Sequence, residues 1–314
     1  ATWKRVMSDR ILVLGAGGFI GQHLVRALAR QGELVIAASR SKIDFDLSNV
    51  ETVIAELRSP KDFAPLVARS RAVAHLASTS TPGASAARPL RELVDNLQPM
   101  AGLLQVLQDH AGVDLLYLSS GGSLYTSTGH IAANEATRVE PRSYHGAGKI
   151  AAEYFISAWC NQYSGRATIL RPSNVYGPGQ LERAGFGIVP TALGKIKRDE
   201  ILHVWGDGSA VRDYLYVDDL VELITTILAR RMSVGAHIVN ACSGTGISLN
   251  ELFAALEAVT GRPLRRSYEV GRAVDATRVV MDPTLANHEY GCSPATPLHE
   301  GLERTWAWLN STAH

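Results

Sequence analysis

Ile11-Leu12-Val13-Leu14-Gly15-Ala16-Gly17-Gly18-Phe19-Ile20-Gly21 joins a short apolar run to a glycine-rich turn and then to a helical pattern. Ile11–Leu14 reads as a buried strand, and Gly21–Gln31 as a helix with Leu24, Val25 and Leu28 on one side. Backbone amides at such a helix start, with no side chain blocking approach, bind a pyrophosphate well, and the third glycine lets helix and strand pack closely. Glycines also mark ordinary tight turns. The strand before this one and the amphipathic helix after it select the dinucleotide reading, with Gly15, Gly18, Phe19, Ile20 and Gly21 as its contacts.

Outward from this turn, short apolar runs alternate with helical stretches, the pattern of a parallel sheet covered on both faces. Leu34–Ala38, Ala72–Leu76, Leu115–Ser119 and Ala167–Arg171 read as strands, Val50–Leu57 as a helix, and Leu90–Gln108 as a long crossover helix. After Pro172 glycines and prolines cluster, as in Gly177-Pro178-Gly179, and a smaller lobe is expected at the sheet's carboxyl edge, where open α/β sheets bind ligands. Tyr214–Val217 and His237–Asn240 read as strands again, so the chain recrosses. The expected division is a dinucleotide-binding domain over 7–171 plus about 212–243, and a substrate lobe over about 172–211 plus 244–314.

The chain has 314 residues, 46% hydrophobic and 19% charged, which fits a globular protein of this size. Its net charge of +1 provides no global field for nucleic acid or an acidic membrane, so an anionic ligand must be met by local positive groups. No stretch reaches the ~20 apolar residues that a membrane span needs. Cys160, Cys242 and Cys292 are scattered without paired metal spacing, which fits a reducing cytoplasm and argues against a disulfide scaffold or a zinc site. Residues Ala1–Val6 read as a disordered leader, with Met7 available as a natural start.

The spacing Gly15-x-x-Gly18-x-x-Gly21 resembles the fingerprint of the short-chain dehydrogenase/reductase superfamily. Later motifs resemble its extended branch of nucleotide-sugar epimerases, dehydratases and reductases, from about Arg10 to Leu309. The resemblance implies an α/β fold, a Rossmann-type doubly wound parallel sheet with a smaller C-terminal substrate lobe, and a nicotinamide cofactor. In NAD-preferring relatives an acidic residue ends the second strand. Here the strand ends Ala37-Ala38-Ser39-Arg40, and a guanidinium can pair with a 2′-phosphate, so Ser39 and Arg40 favour NADP over NAD. The plainer reading of Arg40 is a solvated loop charge. Asp46-Leu47 resembles the family's pair at the adenine edge, and Ala77 the segment beside the middle of the cofactor; His75 reads as a packed strand residue.

The family's active site combines a Ser/Thr, a Tyr and a Lys, with Tyr and Lys one turn apart on a helix face. The lysine and the oxidised ring lower the phenol pKa so that a tyrosinate exchanges a proton with the sugar, and the lysine also binds the nicotinamide ribose. In Pro141-Arg142-Ser143-Tyr144-His145-Gly146-Ala147-Gly148-Lys149, the family's Tyr slot holds His145, and Tyr144 lies one place early, about 100° further round the helix. Three readings are open. His145 is the acid/base; or Tyr144 reaches the site through a local shift eased by Gly146 and Gly148; or hydride chemistry is lost and a silent binding protein remains. The serine partner is irregular too: Ser123 is the first choice and Ser120 the second in Ser119-Ser120-Gly121-Gly122-Ser123, unless these serines only end a strand. Gly122-Ser123 also replaces the pair that dehydratases use to eliminate water. Asn96 resembles the family's asparagine on the central helix, its alternative being a cap or kink beside Pro99.

Arg171-Pro172-Ser173-Asn174-Val175-Tyr176-Gly177 and Trp205-Gly206-Asp207-Gly208 through Arg212-Asp213-Tyr214 are longer matches to the same branch. By that resemblance Pro172 lies by the nicotinamide, Asn174 donates to the sugar diphosphate, and Arg212 and Arg272 clamp it with planar, charge-assisted hydrogen bonds. Asp213, Asp218 and Asp219 read as structural, and no metal site is expected. The implied reaction is hydride transfer at C4 of a nucleotide-diphosphate sugar, as a 4-epimerase or a 4-ketoreductase. Family members often dimerise through the helices carrying Asn96 and Lys149, so a homodimer is implied, with Leu104, Val106 and Leu107 either at its interface or in the core.

Overall fold

The computed structural model describes residues 9–81, 88–126, 129–183, 187–271 and 276–311. It divides into two compact units: 1–120, 143–171 and 221–239 form the first, and 121–142, 172–220 and 240–314 the second.

In the first unit the glycine turn lies between β1 (Arg10–Leu14) and α1 (Phe19–Arg30), where the sequence puts it. β1 is followed by β2 (Val35–Ser39), β3 (Val50–Ile54), α2 (Pro60–Val67) and β4 (Ser70–His75). The crossover then runs through α3 (Pro89–Glu92), a π-helical turn (Leu93–Leu97) and α4 (Gln98–Gln108). β5 (Asp114–Leu118) leads out of this unit through α5 (Gly121–Leu124), and α6 (Tyr144–Tyr163) and β6 (Arg166–Pro172) follow. β6, β5, β4, β1, β2 and β3 lie side by side in that order, each pair parallel. The strand Gly235–Ala241 completes a seven-stranded sheet beside β6. The order reverses between β1 and β4, and such a switch point opens a crevice at the carboxyl ends of its strands. Ile11, Leu12, Val13, Ile36 and Val73 are fully buried because helices cover both faces of the sheet.

Two elements differ from the sequence expectation. Val50–Leu57 is no helix: Val50–Ile54 forms β3, the edge strand against β2. Four of its five residues are β-branched, stiff side chains that pack well on a pleat, and this outweighs the helical spacing. The long crossover helix is interrupted by the π turn. Pro99 explains it, since a proline ring clashes with the carbonyl four residues back, here that of Asp95, and a wider turn relieves the clash.

The second unit is built on β8 (Val211–Tyr216), which pairs parallel with β7 (Asn174–Tyr176) and β10 (Arg278–Val279) and antiparallel with β9 (Gly246–Ser248). One buried cluster in it gathers Tyr125, Ala133, Cys242, Val279 and Met281. Residues 121–142, 212–220 and 240–243 belong here, whereas the expected boundaries gave them to the first unit. The cause is in the bonding: Tyr125 Oη donates to Asn240 Oδ1 at 2.9 Å, Ala133 bridges to Met281, and Asn174 sits in register with Tyr214.

Candidate functional site

α6 carries the candidate catalytic residues of the first unit. Ser143 starts it by accepting the Gly146 amide on Oγ at 3.1 Å, and the left-handed Ser164 ends it after 20 residues. Tyr144 is its first residue and is exposed, whereas His145 is 7% exposed and Lys149 8%. The helix runs through Gly146 and Gly148 without a break. Gly148 serves close packing: a methyl group there would meet Glu92 Oε1 at 2.4 Å.

Lys149 Nζ donates to the carbonyl oxygen of Leu118 at 2.8 Å, at the end of β5, and lies 4.9 Å above the Tyr117 ring. Burial lowers its pKa to about 8, with Glu92 and Glu153 pulling it back up. Burial, then the Lys149 charge, lowers the His145 pKa to about 4, so the imidazole is neutral near pH 7. Its Nδ1 lies 2.8 Å from Ser80 Oγ. Ser80 Oγ also accepts Asn96 Nδ2 at 3.0 Å, and Asn96 Nδ2 donates to Glu92 Oε1 at 3.0 Å. A cavity lined by His75, Ala77, Glu92, Asn96, Tyr117 and Lys149 lies beside this chain of bonds. His75 is a buried strand residue, as expected, with a pKa lowered to about 3 by burial and by Lys149. Behind α6, Arg171 grips Glu153 with Nη2–Oε2 at 2.6 Å, and Ser119 Oγ donates to Glu153 Oε1 at 2.5 Å.

The glycine turn has the form that a dinucleotide requires. A Cβ on Gly15 would sit 2.8 Å from the Ala77 nitrogen, one on Gly17 2.6 Å from Ile43, and one on Gly21 2.1 Å from the Gly15 oxygen. Gly18 caps α1 without a side-chain hydrogen bond, and the first turn, with Phe19 and Ile20, holds no acidic residue, so nothing opposes an anion at this helix start. Ser39 ends β2, its Oγ donating to the Ser41 carbonyl, and Arg40 is exposed beyond it. Asp46 adopts a left-handed φ of 50° and Leu47 is half-buried.

The remaining expected residues divide between the units. Ser120 follows β5 in the first unit, half-buried. The second unit holds Ser123 on α5, the buried Pro172, Asn174 and Arg212. Asn174 is exposed and donates from Nδ2 to the Asp213 carbonyl at 2.8 Å. Gly122, next to Ser123, faces it, an added Cβ lying 3.8 Å from Asn174 Oδ1. Arg212 Nη1 donates to the Val211 carbonyl at 2.8 Å. Asp213 is structural, accepting from the amides of Ser243 and Gly244 at 2.9 Å each. Arg272 lies outside the described residues. No group of His, Cys, Asp or Glu among the described residues could hold a metal, and no described helix is long and apolar enough to cross a membrane. Ser80 and Glu92 were not foreseen. The one signal in the sequence is the spacing of Glu92 four residues before Asn96, one helical turn.

Residues 11–242 match the NAD dependent epimerase/dehydratase family. The chain belongs to that family. Within this epimerase/dehydratase family, part of the extended short-chain dehydrogenases/reductases, it is 28% identical to a UDP-glucose 4-epimerase of Mycolicibacterium smegmatis, covering 94% of this chain and 97% of that one. It is 30% identical to a dTDP-4-dehydro-6-deoxy-D-allose reductase of a Streptomyces species, over 98% of each chain. Among solved structures, UDP-glucose 4-epimerase of Thermotoga maritima with UDP-glucose superposes with a TM-score of 0.89 at 29% identity, covering 96% of this chain and 99% of that one. The Thermus thermophilus UDP-glucose 4-epimerase in complex with NAD gives 0.88 at 25% identity, covering 97% and 100%. The Rossmann-type parallel sheet expected from the sequence is thus the fold of this epimerase/dehydratase family.

Proposed function

We propose that this protein transfers hydride at C4 of a nucleotide-diphosphate sugar, as a 4-epimerase or 4-ketoreductase, with His145 as acid/base in the slot that relatives give to tyrosine. The observation that carries this reading is the contrast within one helical turn. His145 is buried, electrostatically coupled to Lys149 and bonded through Nδ1 to Ser80, whereas Tyr144 is exposed.

Gly15, Gly18, Phe19, Ile20 and Gly21 would hold the pyrophosphate of a nicotinamide dinucleotide, which when bound would supply or take the hydride. Lys149 holds the nicotinamide ribose, and Asp46, Leu47, Ala77 and Pro172 border the cofactor. His145 exchanges the proton with the sugar oxygen, and Ser123, with Ser120 as second choice, orients that oxygen. Asn174, Arg212 and Arg272 hold the diphosphate. The exposed Arg40 beside Ser39 supports NADP over NAD. Apolar Leu90, Leu93, Tyr154 and Phe155 are exposed on α3, the π turn and α6, which supports a homodimer through these helices. Leu104, Val106 and Leu107 take no part in it, for all three lie in the core. The free thiols of Cys160, Cys242 and Cys292 suit a reducing compartment such as the cytoplasm.

Single-turnover hydride transfer with UDP- and dTDP-linked sugars and their 4-keto forms tests the reading. His145→Phe is expected to slow transfer by about 10²–10⁴-fold, the usual worth of a positioned acid/base. Binding of both ligands without any transfer would leave a silent binding protein of the same fold. Tighter binding of NAD than of NADP would remove the role given to Arg40.

A further inference from the structure

The hydrogen bonds around Asn96 fix the placement of a proton that the reaction uses. Asn96 Oδ1 receives the Thr79 backbone N–H at 2.9 Å and the Thr79 hydroxyl at 3.2 Å. A backbone N–H can only donate, so the carboxamide oxygen belongs on that side. Its nitrogen faces Glu92 Oε1 and Ser80 Oγ, each at 3.0 Å, and an ionised carboxylate can only accept. Both ends of the amide are thereby assigned independently, and they agree.

The assignment passes on to Ser80. Its hydroxyl has one proton and two lone pairs, and Asn96 occupies a lone pair. The hydroxyl proton is satisfied within the network only if Ser80 donates to His145 Nδ1, at 2.8 Å. A ring accepting at Nδ1 and uncharged carries its proton on Nε2.

We infer that Asn96 and Ser80 hold His145 as the Nε2–H tautomer, and that the physiological substrate is therefore a nucleotide-linked 4-keto sugar. This deepens the proposed function and rests on its reading of His145 as the acid/base. A neutral imidazole with its proton on Nε2 can polarise a carbonyl, as neutral histidine does elsewhere, but has no lone pair there to take a proton from an alcohol. An epimerase must begin by removing the hydroxyl proton; a reductase need not.

In the reductive step the carbonyl carbon takes the hydride supplied by the reduced nicotinamide, and the C=O π pair moves to oxygen. That oxygen takes the Nε2 proton of His145, while the Ser80 hydroxyl proton moves to Nδ1. The Nδ1 proton then returns to Ser80 while solvent delivers one proton to Nε2. The net reaction consumes one ketone, one reduced cofactor and one proton, and gives the alcohol and the oxidised cofactor. Asn96 and Ser80 are positioning residues, since they act through His145.

Nitrogen-15 NMR of the imidazole rings in the full-length protein at neutral pH reads the tautomer without reference to activity. The expected signature of His145 is a protonated-type Nε2 and an unprotonated-type Nδ1; the reverse pattern overturns the inference. Combining Asn96→Asp with Glu92→Gln keeps the charge and exchanges donor for acceptor toward Ser80, so the tautomer should invert. Ser80→Ala provides a second variant, expected to give a mixture of tautomers; a ring still wholly Nε2–H would show that Ser80 does not set it. In single turnovers, reduction of UDP- or dTDP-4-keto sugars should run at least ~100-fold faster than oxidation of the 4-hydroxy sugars, and equal rates would overturn the substrate assignment. If the Nε2–H signature is found and His145→Phe retains full transfer, the acid/base reading fails while the tautomer stands. A reversed tautomer with an inactive His145→Phe fails the inference alone.

Discussion

The Glu92 carboxylate lies against Cα of Gly148, so close that a methyl group added there would meet Oε1 at 2.4 Å and Cγ at 2.6 Å. α3 and α6 are thus in contact through a side chain on one and the lack of a side chain on the other. Replacing a helical glycine by alanine ordinarily stabilises by up to about 1 kcal/mol. At Gly148 the opposite is expected, because Glu92 is itself buried and has to move. Gly148→Ala should cost roughly 1–3 kcal/mol in urea denaturation, the range for overpacking.

Glu92 also supports the charge on Lys149, whose pKa burial lowers to about 8. If Lys149 binds the cofactor ribose as an ammonium, dinucleotide affinity falls as pH rises through about 8. Glu92→Gln removes a charge that raises this pKa, so the midpoint of the fall should move to lower pH. Calorimetric titration with NADP and NAD between pH 6 and 9 (about 0.5 unit apart) would show it. An unmoved midpoint would mean that Glu92 does not act on the lysine.

Arg171 and Glu153 form an ion pair of which each side chain is 4% exposed. Removing one member leaves the other charge buried, which costs about 3–5 kcal/mol. Glu153→Ala is expected to lower stability by that amount, and replacing both residues by methionine to recover much of it. Equilibrium unfolding without cofactor separates this effect from ligand binding.

Acid should destabilise the protein through two histidines. The folded pKa of His145 is lowered to about 4 and that of His75 to about 3, against an ordinary value of 6.5. Below pH 6.5 the unfolded chain takes up protons that the folded chain refuses, so stability falls as pH drops from 6.5 toward 4. At pH 5 the loss is roughly 2 kcal/mol for each. His75→Gln should flatten the fall in unfolding free energy between pH 7 and pH 5.

Much of this was legible in the sequence where one residue type serves one physical need. Gly15 and Gly21 stand where a side chain would collide, and Lys149 is four residues after His145, on the same helical face. The helical spacing of Val50–Leu57 misled because an edge strand shows little alternation: β3 buries none of its residues fully, and only its β-branched composition betrays it. Ser80 and Glu92 were illegible for another reason. They belong to the site through Asn96: Glu92 is signalled only by standing four residues before it, and the contact of Ser80, sixteen residues away, is encoded by no local pattern. The serines at 120 and 123 looked alike in sequence, but the boundary between the units runs directly after the first of them.

The π turn at Leu93–Leu97 has a consequence for how this chain tolerates insertion and deletion. Such a turn holds one residue more than a regular helix can seat, so loss of any one of its residues would leave an ordinary α-helix in place of a gap. The helix on either side would keep its phase, and only the side chains within the turn would be redirected, by up to about 100° for a one-residue shift. Asn96 would then be carried away from Thr79 and Ser80 in a protein that still folds. A shortened chain of this kind would be sound as a scaffold and silent as a catalyst.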